Sequence, residues 1–329
     1  MIQLHHRKER TATDRVRFKN QFAADVRYYL TQQPRQLPSR YLYDEVGSAL
    51  FEVICRLPWY PITRAERRLL AARGGDVWRR VAPSCIVELG PGDGEKMSML
   101  LELAPVVRET VDIHLVDLSA AALAHGVRAV TAFDRVRAIA HEATYEQGLA
   151  DAAGGFPPHG RVLVLFLGSN IGNFDPPGRH AFLLGIRRAL RAGDALLLGA
   201  DLVKPESDLR LAYDDPLGVT AAFNRNLLVR VNRELDADFA IDRFSHRAVW
   251  NRDASRVEMH LVAEAAFDIH IAGADLRFAM DQGEVIWTES SYKFDRGEIR
   301  EGLETSGFHT VEQWQDDADR FALTLATAV

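Results

Sequence analysis

The chain has 329 residues, with 40 basic and 46 acidic side chains, a net charge of −6 and 47% hydrophobic residues. This length allows one large domain or two moderate ones. A net acidic chain is poorly suited to binding a phosphate backbone, so we expect no nucleic-acid partner. The first residues lack the apolar core of a signal peptide and no apolar run reaches membrane-spanning length, so we expect no membrane partner.

Cysteine usage indicates the compartment and argues against a metal. Cys55 and Cys85 lie far apart and are the only cysteines in the sequence. They form neither a disulfide framework nor a zinc-binding pattern, and no other metal-ligand spacing is evident, so we expect no metal. The default setting is the reducing cytoplasm. We expect the chain to act there as a monomer on a small molecule.

Short apolar runs alternate with helical patterns in the middle of the chain. The predicted strands are CIVELG, DIHLVDLS, RVRAIAHEAT, RVLVLFLG and DALLLGADLV. The predicted helices are EKMSMLLELA, AAALAHGVRAVTAF and RHAFLLGIRRALRAG. Alternation at this spacing predicts an α/β fold, with a parallel sheet wound by helices on both faces. Ligands of such sheets bind at the carboxyl ends of the strands.

The flanks have other patterns. The segment before about residue 64 is helical or irregular, and the segment after Val203 is helical and then alternates with period two, as antiparallel strands do. The final thirty residues or so are expected to form a helix and two closing strands. The flanks therefore predict a second domain beside the α/β core. The expected ranges are 1–63 and 201–288 for the second domain, and 64–200 and 289–329 for the core.

A glycine loop, VELGPGDGEK, follows the first core strand. Gly90, Gly92 and Gly94 allow the backbone to pass close to a ligand and to adopt left-handed angles. The dinucleotide pattern G-x-G-x-x-G fails because position 95 is Glu95, and no Walker A pattern is present. The pattern that remains, E-x-G-x-G-x-G from Glu88, is typical of S-adenosylmethionine-dependent methyltransferases, in which the glycines meet the amino acid portion of the cofactor.

A carboxylate follows the second core strand. Asp117 ends DIHLVD and can accept both ribose hydroxyls, as the acid does in dinucleotide sites. With the glycine loop, it predicts a methyltransferase that uses S-adenosyl-L-methionine. Enzymes that methylate nucleobase amino groups carry a Pro-Pro-aromatic turn after the fourth strand. Here Asp175 is followed by Pro-Pro-Gly, and the missing aromatic argues against a nucleobase substrate.

Long irregular segments then resemble a known family from about residue 20 to the end. The segments are YDEVGSALFEVICRLPWYPITRAE, VELGPGDGEK, FLGSNIGNF, LLLGADLVK, AYDDPLGVTAAFNRNLL, NRELDADF, RVEMHL and TESSYKF. They are similar to the histidine-specific Nα-methyltransferases of ergothioneine biosynthesis. The resemblance implies a class I methyltransferase fold: a doubly wound, mostly parallel seven-stranded sheet that carries the cofactor, and a second α+β domain that binds substrate. It also implies conversion of L-histidine to its trimethyl betaine, hercynine, with S-adenosyl-L-homocysteine as the other product.

The resemblance assigns residues to the substrate's amino acid end. Tyr60, Asn173 and Tyr213 match positions that hold the α-amino and carboxylate groups. Asn173 lies where the strand VLFLGSNIGNF breaks into glycines and asparagines. Turn chemistry alone would explain an asparagine there, and the resemblance favours a substrate clamp instead.

Other matches concern the imidazole ring. Glu289 and Ser291 match the pair that hydrogen-bonds the ring, and period-two alternation places them on one face of a strand. A carboxylate and a hydroxyl suit a ring with one donor and one acceptor. Tyr43 matches a tyrosine near the ring. Tyr43, Asn173 and Tyr213 are therefore the candidate catalytic residues, while the proton acceptor, a tyrosine or water, stays open.

The expected cofactor-binding residues follow from the loop, the acid and the resemblance. They are Glu88, Gly90, Gly92, Lys96, Asp117, Thr144 and Tyr145. The resemblance puts Lys96 near the methionine portion of the cofactor. Relatives carry Asp-Phe where this chain has Thr144-Tyr145, so we expect a weaker contact with adenine, unless Glu142 supplies the acid. Pro61 also replaces a second tyrosine in WYPIT and is expected to reshape the lid over the substrate.

Two alternatives remain at this stage. One is an enzyme of the same architecture that methylates another amino acid or amine, such as tryptophan. The other is a regulatory pseudo-enzyme that binds the cofactor without turnover.

Overall fold

The computed structural model describes residues 12–105 and 109–329, with side chains from residue 18 onward. The expectation that the first residues carry no signal peptide lies outside this range. The helices in the described part are α1 (Ala12–Leu30), α2 (Glu45–Ile54), α3 (Pro61–Val81), α4 (Glu95–Glu102), α5 (Ala120–Val130), α6 (Tyr145–Ala153), α7 (Pro176–Ala189), α8 (Glu206–Tyr213), α9 (Val219–Leu235) and α10 (Arg296–Thr305). The strands are β1 (Arg35–Gln36), β2 (Pro83–Leu89), β3 (Val111–Asp117), β4 (Val136–Glu142), β5 (Arg161–Phe166), β6 (Ala195–Asp201), β7 (Phe244–Asn251), β8 (Arg256–Ala263), β9 (Phe267–Ile271), β10 (Leu276–Met280), β11 (Val285–Tyr292), β12 (Phe308–Asp316) and β13 (Phe321–Ala328).

The chain divides into two compact units, which we call the core unit and the second unit. The core unit comprises Pro61–Lys204 and Tyr292–Val329, and the second unit comprises the described residues up to Tyr60 and Pro205–Ser291. The breaks thus lie at 60/61, 204/205 and 291/292, where the sequence predicted 63/64, 200/201 and 288/289. As a result Glu289 and Ser291, which the sequence ranges assigned to the core, lie in the second unit.

The core unit is built on a seven-stranded sheet in the order β12-β13-β6-β5-β2-β3-β4. Strands β2 to β6 are parallel to one another, while β13 is antiparallel to β6 and β12 is antiparallel to β13. All seven residues of β6 are buried, as expected for a strand covered on both faces. The doubly wound, mostly parallel α/β sheet, its five predicted strands and the closing helix with two strands are confirmed.

The second unit combines helices with two smaller sheets. One sheet has the order β1-β11-β8-β7, and β9 pairs with β10. The predicted antiparallel strands are confirmed for β7 with β8 and for β9 with β10. The two-residue strand β1 pairs in parallel with β11, which alternation did not indicate. Asp215 of the AYDDP segment caps α9, because its carboxylate accepts amide hydrogens from Leu217, Val219 and Thr220.

Two histidines pair inside the core sheet. Nδ1 of His114 on β3 lies 2.9 Å from Nε2 of His141 on β4, and the rings stack with centroids 5.2 Å apart. His114 is buried. Burial, reinforced by His141, lowers the pKa of His114 to about 4, and burial also lowers the pKa of His141.

We expect this pair to make the protein sensitive to acid. Because the pKa of His114 is about 4 when folded and about 6.5 when unfolded, the unfolded chain binds more protons between these values. The free energy of unfolding should therefore fall by about 3 kcal/mol as the pH drops from 6.5 to 4. Urea titrations should show that the free energy of unfolding falls less with decreasing pH in His114→Gln than in wild type. The exposed control His125→Gln should show the same fall as wild type. Equal pH dependence in His114→Gln and wild type would contradict this.

None of the described helices combines the length and the apolar character needed to cross a membrane.

Candidate active site

The glycine loop joins β2 to α4 in the core unit. Gly90 has φ +80°, and a Cβ there would lie 3.0 Å from both the Asn170 amide nitrogen and the Tyr145 hydroxyl. Gly92 has φ +56° and no heavy atom among the described residues lies within 4 Å of its would-be Cβ. The backbone of the loop is therefore crowded at its first glycine and approachable at its second, as a loop that meets a ligand requires.

The third glycine holds the loop against a neighbouring helix. Gly94 has φ +78°, and a Cβ there would lie 2.8 Å from Cα of Gly126 on α5. The absence of a side chain at Gly94 therefore allows the start of α4 to pack directly against α5.

Glu88, at the carboxyl end of β2, is fully buried. Burial raises the pKa of Glu88 to about 8, with Glu66 adding to the rise and Lys96 opposing it. Neither carboxyl oxygen has a hydrogen-bond partner among the residues that the structure describes. A buried carboxyl group in this state is costly, which fits a site for a cationic group such as an ammonium.

Lys96, the expected cofactor lysine, lies on the first turn of α4. Its Nζ is 2.8 Å from Oε2 of Glu66, a fully buried residue of α3. Sequence reasoning missed Glu66, although a signal existed: it occupies the apolar stripe of α3, four residues after Ile62 and three before Leu69. A carboxylate at such a position needs a partner, and Lys96 provides one.

Asp117 ends β3 and lies in register with Glu142 at the end of β4. Burial raises the pKa of Asp117 to about 6, while the backbone amides of Ser119 and Leu118 oppose the rise. The Ser119 amide donates to the Asp117 carboxylate at 2.8 Å. The structure thus puts two carboxyl groups at neighbouring strand ends: Asp117, which the sequence predicted for the ribose, and Glu142, the second acid that the sequence analysis considered.

Thr144 and Tyr145 open α6, a helix that the sequence analysis did not predict. Thr144 is exposed and serves as the N-cap, with its hydroxyl accepting the Gln147 amide hydrogen at 3.3 Å. Tyr145 packs edge-on against Phe166 with ring centroids 5.3 Å apart, and its hydroxyl lies beside Gly90. Tyr145 therefore adjoins the glycine loop, and an adenine contact through Thr144 stays a prediction.

The break after β5 has a structural reason. Gly168 and Ser169 have φ of +76° and +60°, and a single 3-10 turn then runs over Asn170–Asn173. A Cβ on Gly172 would lie 2.7 Å from the Tyr292 carbonyl oxygen, so the turn passes directly against a neighbouring backbone. Asn173 is half-buried at the carboxyl end of the sheet, where the sequence predicted it.

The DPPG segment also has a local explanation. The Asp175 side chain accepts the Gly178 amide hydrogen at 2.8 Å and caps α7, whose first two residues are prolines. This is ordinary helix-start chemistry and requires no base-stacking role.

Aromatic rings of the second unit form a connected cluster. Measured between ring centroids, Tyr43 is 5.5 Å from both Phe51 and Phe223. The Phe51 ring is 6.2 Å from that of Tyr60, which is in turn 6.2 Å from that of Tyr213. The three tyrosines predicted for the substrate site are therefore brought together by one set of edge-to-face contacts.

Ser291 and Glu289 of β11 adjoin this cluster. The Tyr213 hydroxyl donates to Oγ of Ser291 at 2.8 Å, and both Glu289 and Ser291 are buried. Burial first, then the neighbouring Tyr213, Cys55, Tyr43 and Glu289, raise the pKa of Tyr60 well above its usual value. Tyr60 is therefore protonated at neutral pH, and its hydroxyl can donate a hydrogen bond. Asn173, the remaining predicted substrate residue, belongs to the core unit.

The charged and polar side chains near the glycine loop and strand ends of the core unit fit S-adenosylmethionine. Glu88 offers an acid for an ammonium, Lys96 a cation for a carboxylate, and Asp117 an acceptor for ribose hydroxyls. Within the described ranges, no group of three or more His, Cys, Asp or Glu side chains is arranged to hold a metal ion.

Comparison with known proteins agrees with this chemistry. Residues 22–328 match the model of a family described as histidine-specific methyltransferase, SAM-dependent. The chain is 40% identical to the histidine N-alpha-methyltransferase of Mycobacterium tuberculosis over 92% of this chain and 93% of that protein. It is 42% identical to the protein of the same name from Mycolicibacterium smegmatis, with the same coverage of both chains. It is also 28% identical to ergothioneine biosynthesis protein 1 of Schizosaccharomyces pombe, over 85% of this chain and 37% of that longer protein.

The family match covers nearly the whole chain, and the seven-stranded α/β sheet is the class I methyltransferase fold that the sequence implied. The chain therefore belongs to the histidine-specific methyltransferases, enzymes that take their methyl group from S-adenosyl-L-methionine.

Proposed function

We propose that the protein methylates the α-amino nitrogen of L-histidine three times and so forms hercynine, the first step of ergothioneine biosynthesis. Histidine is proposed as the substrate because Glu289, Ser291 and Tyr213 form a buried polar group in the second unit. Glu289 would accept the N–H of the imidazole ring, and a hydroxyl such as that of Ser291 can donate to the other ring nitrogen. An apolar side chain would offer no hydrogen-bond donor to the buried Glu289, which disfavours leucine or phenylalanine as substrates.

The reaction is an in-line displacement, for which alignment and exclusion of water can supply roughly 7–11 kcal/mol. The cofactor supplies the sulfonium methyl group. Tyr213 and Asn173 would orient the amine, with Tyr43 beside the ring. Because Tyr60 is protonated at neutral pH, it would donate to the substrate carboxylate and would not accept the proton of the amine. The proton of the amine would then pass to water or to another tyrosine of the site.

The cofactor would be held by the core unit. Lys96, Gly90 and Gly92 would meet its methionine portion, with Glu88 facing the ammonium. Asp117 would accept the ribose hydroxyls, and the adenine contacts are assigned to Thr144 and Tyr145. The proposed roles of the two units are therefore cofactor binding for the core unit and substrate binding for the second unit.

Mass spectrometry after incubation with S-adenosylmethionine and all twenty amino acids tests this function. We expect three added methyl groups on histidine alone. Only monomethylhistidine at full conversion would overturn the triple transfer, and another methylated amino acid would overturn the assigned specificity. We further propose that the enzyme is a cytoplasmic monomer without a nucleic-acid partner, which the net charge of −6 and the presence of only two cysteines in the sequence support. Light scattering on the same preparation tests the monomer.

A further inference from the structure

Glu66 is a fully buried carboxylate with partners from two separate segments of the core unit, helix α4 and the loop after β5. Its Oε2 lies 2.8 Å from Nζ of Lys96, which follows the glycine loop. Both of its oxygens also accept the backbone amide hydrogen of Gly168, at 2.8 and 2.9 Å. Gly168 begins the turn that carries Asn173. One side chain thus connects the residue expected at the cofactor with the turn expected at the substrate amine.

The sheet makes room for this carboxylate. A Cβ on Gly199 of β6 would lie 2.0 Å from Oε1 of Glu66, and 3.1 Å from the Phe321 ring. Any side chain at position 199 would therefore displace the Glu66 carboxylate or the ring. Glycine at this strand position keeps the carboxylate within reach of both its partners.

We propose that Glu66 is a positioning residue: it holds the Lys96 ammonium and the Gly168 turn in one arrangement, and cofactor binding depends on it through Lys96. This rests on the proposed function, in which Lys96 binds the carboxylate of the cofactor's methionine portion. A lysine side chain has many rotamers, so a fixed counter-ion that orients it removes an ordering cost from ligand binding. The amide of Gly168 fixes Glu66 in turn, because a carboxylate that accepts a backbone N–H has a defined direction.

The test compares dissociation constants for S-adenosylhomocysteine, measured by calorimetry, in Glu66→Gln, Lys96→Met and the double variant. Glutamine keeps an oxygen for the Gly168 amide but has no charge for Lys96. We expect each single variant to bind about ten-fold more weakly than wild type. The double variant should bind no more weakly than Lys96→Met, because Glu66 acts through the lysine that has been removed.

Several outcomes would overturn the proposal. Affinity losses that add in the double variant would show that Glu66 acts independently of Lys96. An unchanged affinity in Glu66→Gln, with a loss in Lys96→Met, would refute the positioning role and leave the proposed function intact. An unchanged affinity in Lys96→Met would instead refute the proposed role of Lys96, and this inference with it.

A matched control exists on the same two helices. Arg67 and Glu95 form an exposed ion pair of 2.7 Å between α3 and α4, each next in sequence to a member of the buried pair. Glu95→Gln should change the affinity by less than about two-fold, since exposed pairs contribute little. If Glu66→Gln does not fold, Gly199→Ala provides a second variant. Gly199→Ala should weaken the binding of S-adenosylhomocysteine although the charges of Glu66 and Lys96 are both still present. Wild-type affinity in this variant would contradict the proposal.

Discussion

Glu289→Leu is expected to lower kcat/KM for L-histidine by about a hundred- to a thousand-fold. Glu289 is buried on β11, and its replacement by leucine would leave an imidazole N–H without its proposed acceptor. Glu289→Gln should lose much less, because the carboxamide oxygen can still accept that hydrogen. Steady-state kinetics with L-histidine, alongside the melting temperature of each variant, measures the effect.

The neighbouring position provides the control for Glu289. Ser290 follows Glu289 on β11 and points to the other face of the strand, so Ser290→Ala should leave kcat/KM within about two-fold of wild type. Full activity of Glu289→Leu on histidine would remove the basis of the specificity assignment. It would favour the alternative in which the enzyme methylates a different amino acid or amine.

Cofactor affinity is expected to be greatest near pH 8 and to fall on both sides. Burial raises the pKa of Glu88 to about 8, so at neutral pH its carboxyl group is mostly protonated before a ligand binds. Pairing with an ammonium requires the ionised form, so binding below pH 8 releases a proton and the affinity should rise by up to about ten-fold per pH unit. Above pH 8 the ligand's own α-ammonium, with a pKa of roughly 8, loses its charge.

Calorimetry with S-adenosylhomocysteine between pH 6 and 9, in buffers of different ionisation enthalpy, measures both the affinity and the released protons. Glu88→Gln should lack the rising limb and should bind about ten-fold more weakly at pH 8, because a neutral amide replaces a charged partner. The conservative exchange Asp93→Asn, on the same loop, is the control and should retain the rising limb. A wild-type affinity that does not change between pH 6 and 8 would show that Glu88 does not meet the ammonium.

Local sequence patterns were sufficient to predict much of the core sheet. The strands β2, β5 and β6 appear in the sequence as apolar runs bounded by glycine or polar residues, because a strand buried on both faces needs mostly apolar side chains. Gly90 and Gly94 could be interpreted for a similar reason, since both adopt positive φ angles that other residues resist. Asp117 was found because the end of a parallel strand has a known relation to bound ligands.

Some features of the structure were not predicted from the sequence. Thr144, which departs from the family's adenine-binding pair, also caps α6 through its hydroxyl. The helix itself was missed because its nine residues follow directly from a strand and carry a weak apolar pattern. The boundary near residue 289 was placed three residues too early, since β11 continues as one strand to Tyr292 and offers no local break.

The sequence by itself determined the order of the core strands and most of the core helices, the glycine loop, the carboxylate at Asp117 and the family resemblance that names the substrate residues. Tertiary structure alone decided which side chains meet: Glu66 with Lys96, thirty residues apart, and Tyr213 with Ser291, 78 residues apart. The physical reason is that periodicity reports the burial and backbone conformation of each segment separately. Hydrogen-bond partners across such separations depend on tertiary packing, which brings buried polar groups together. Each buried polar group then needs a hydrogen-bond partner.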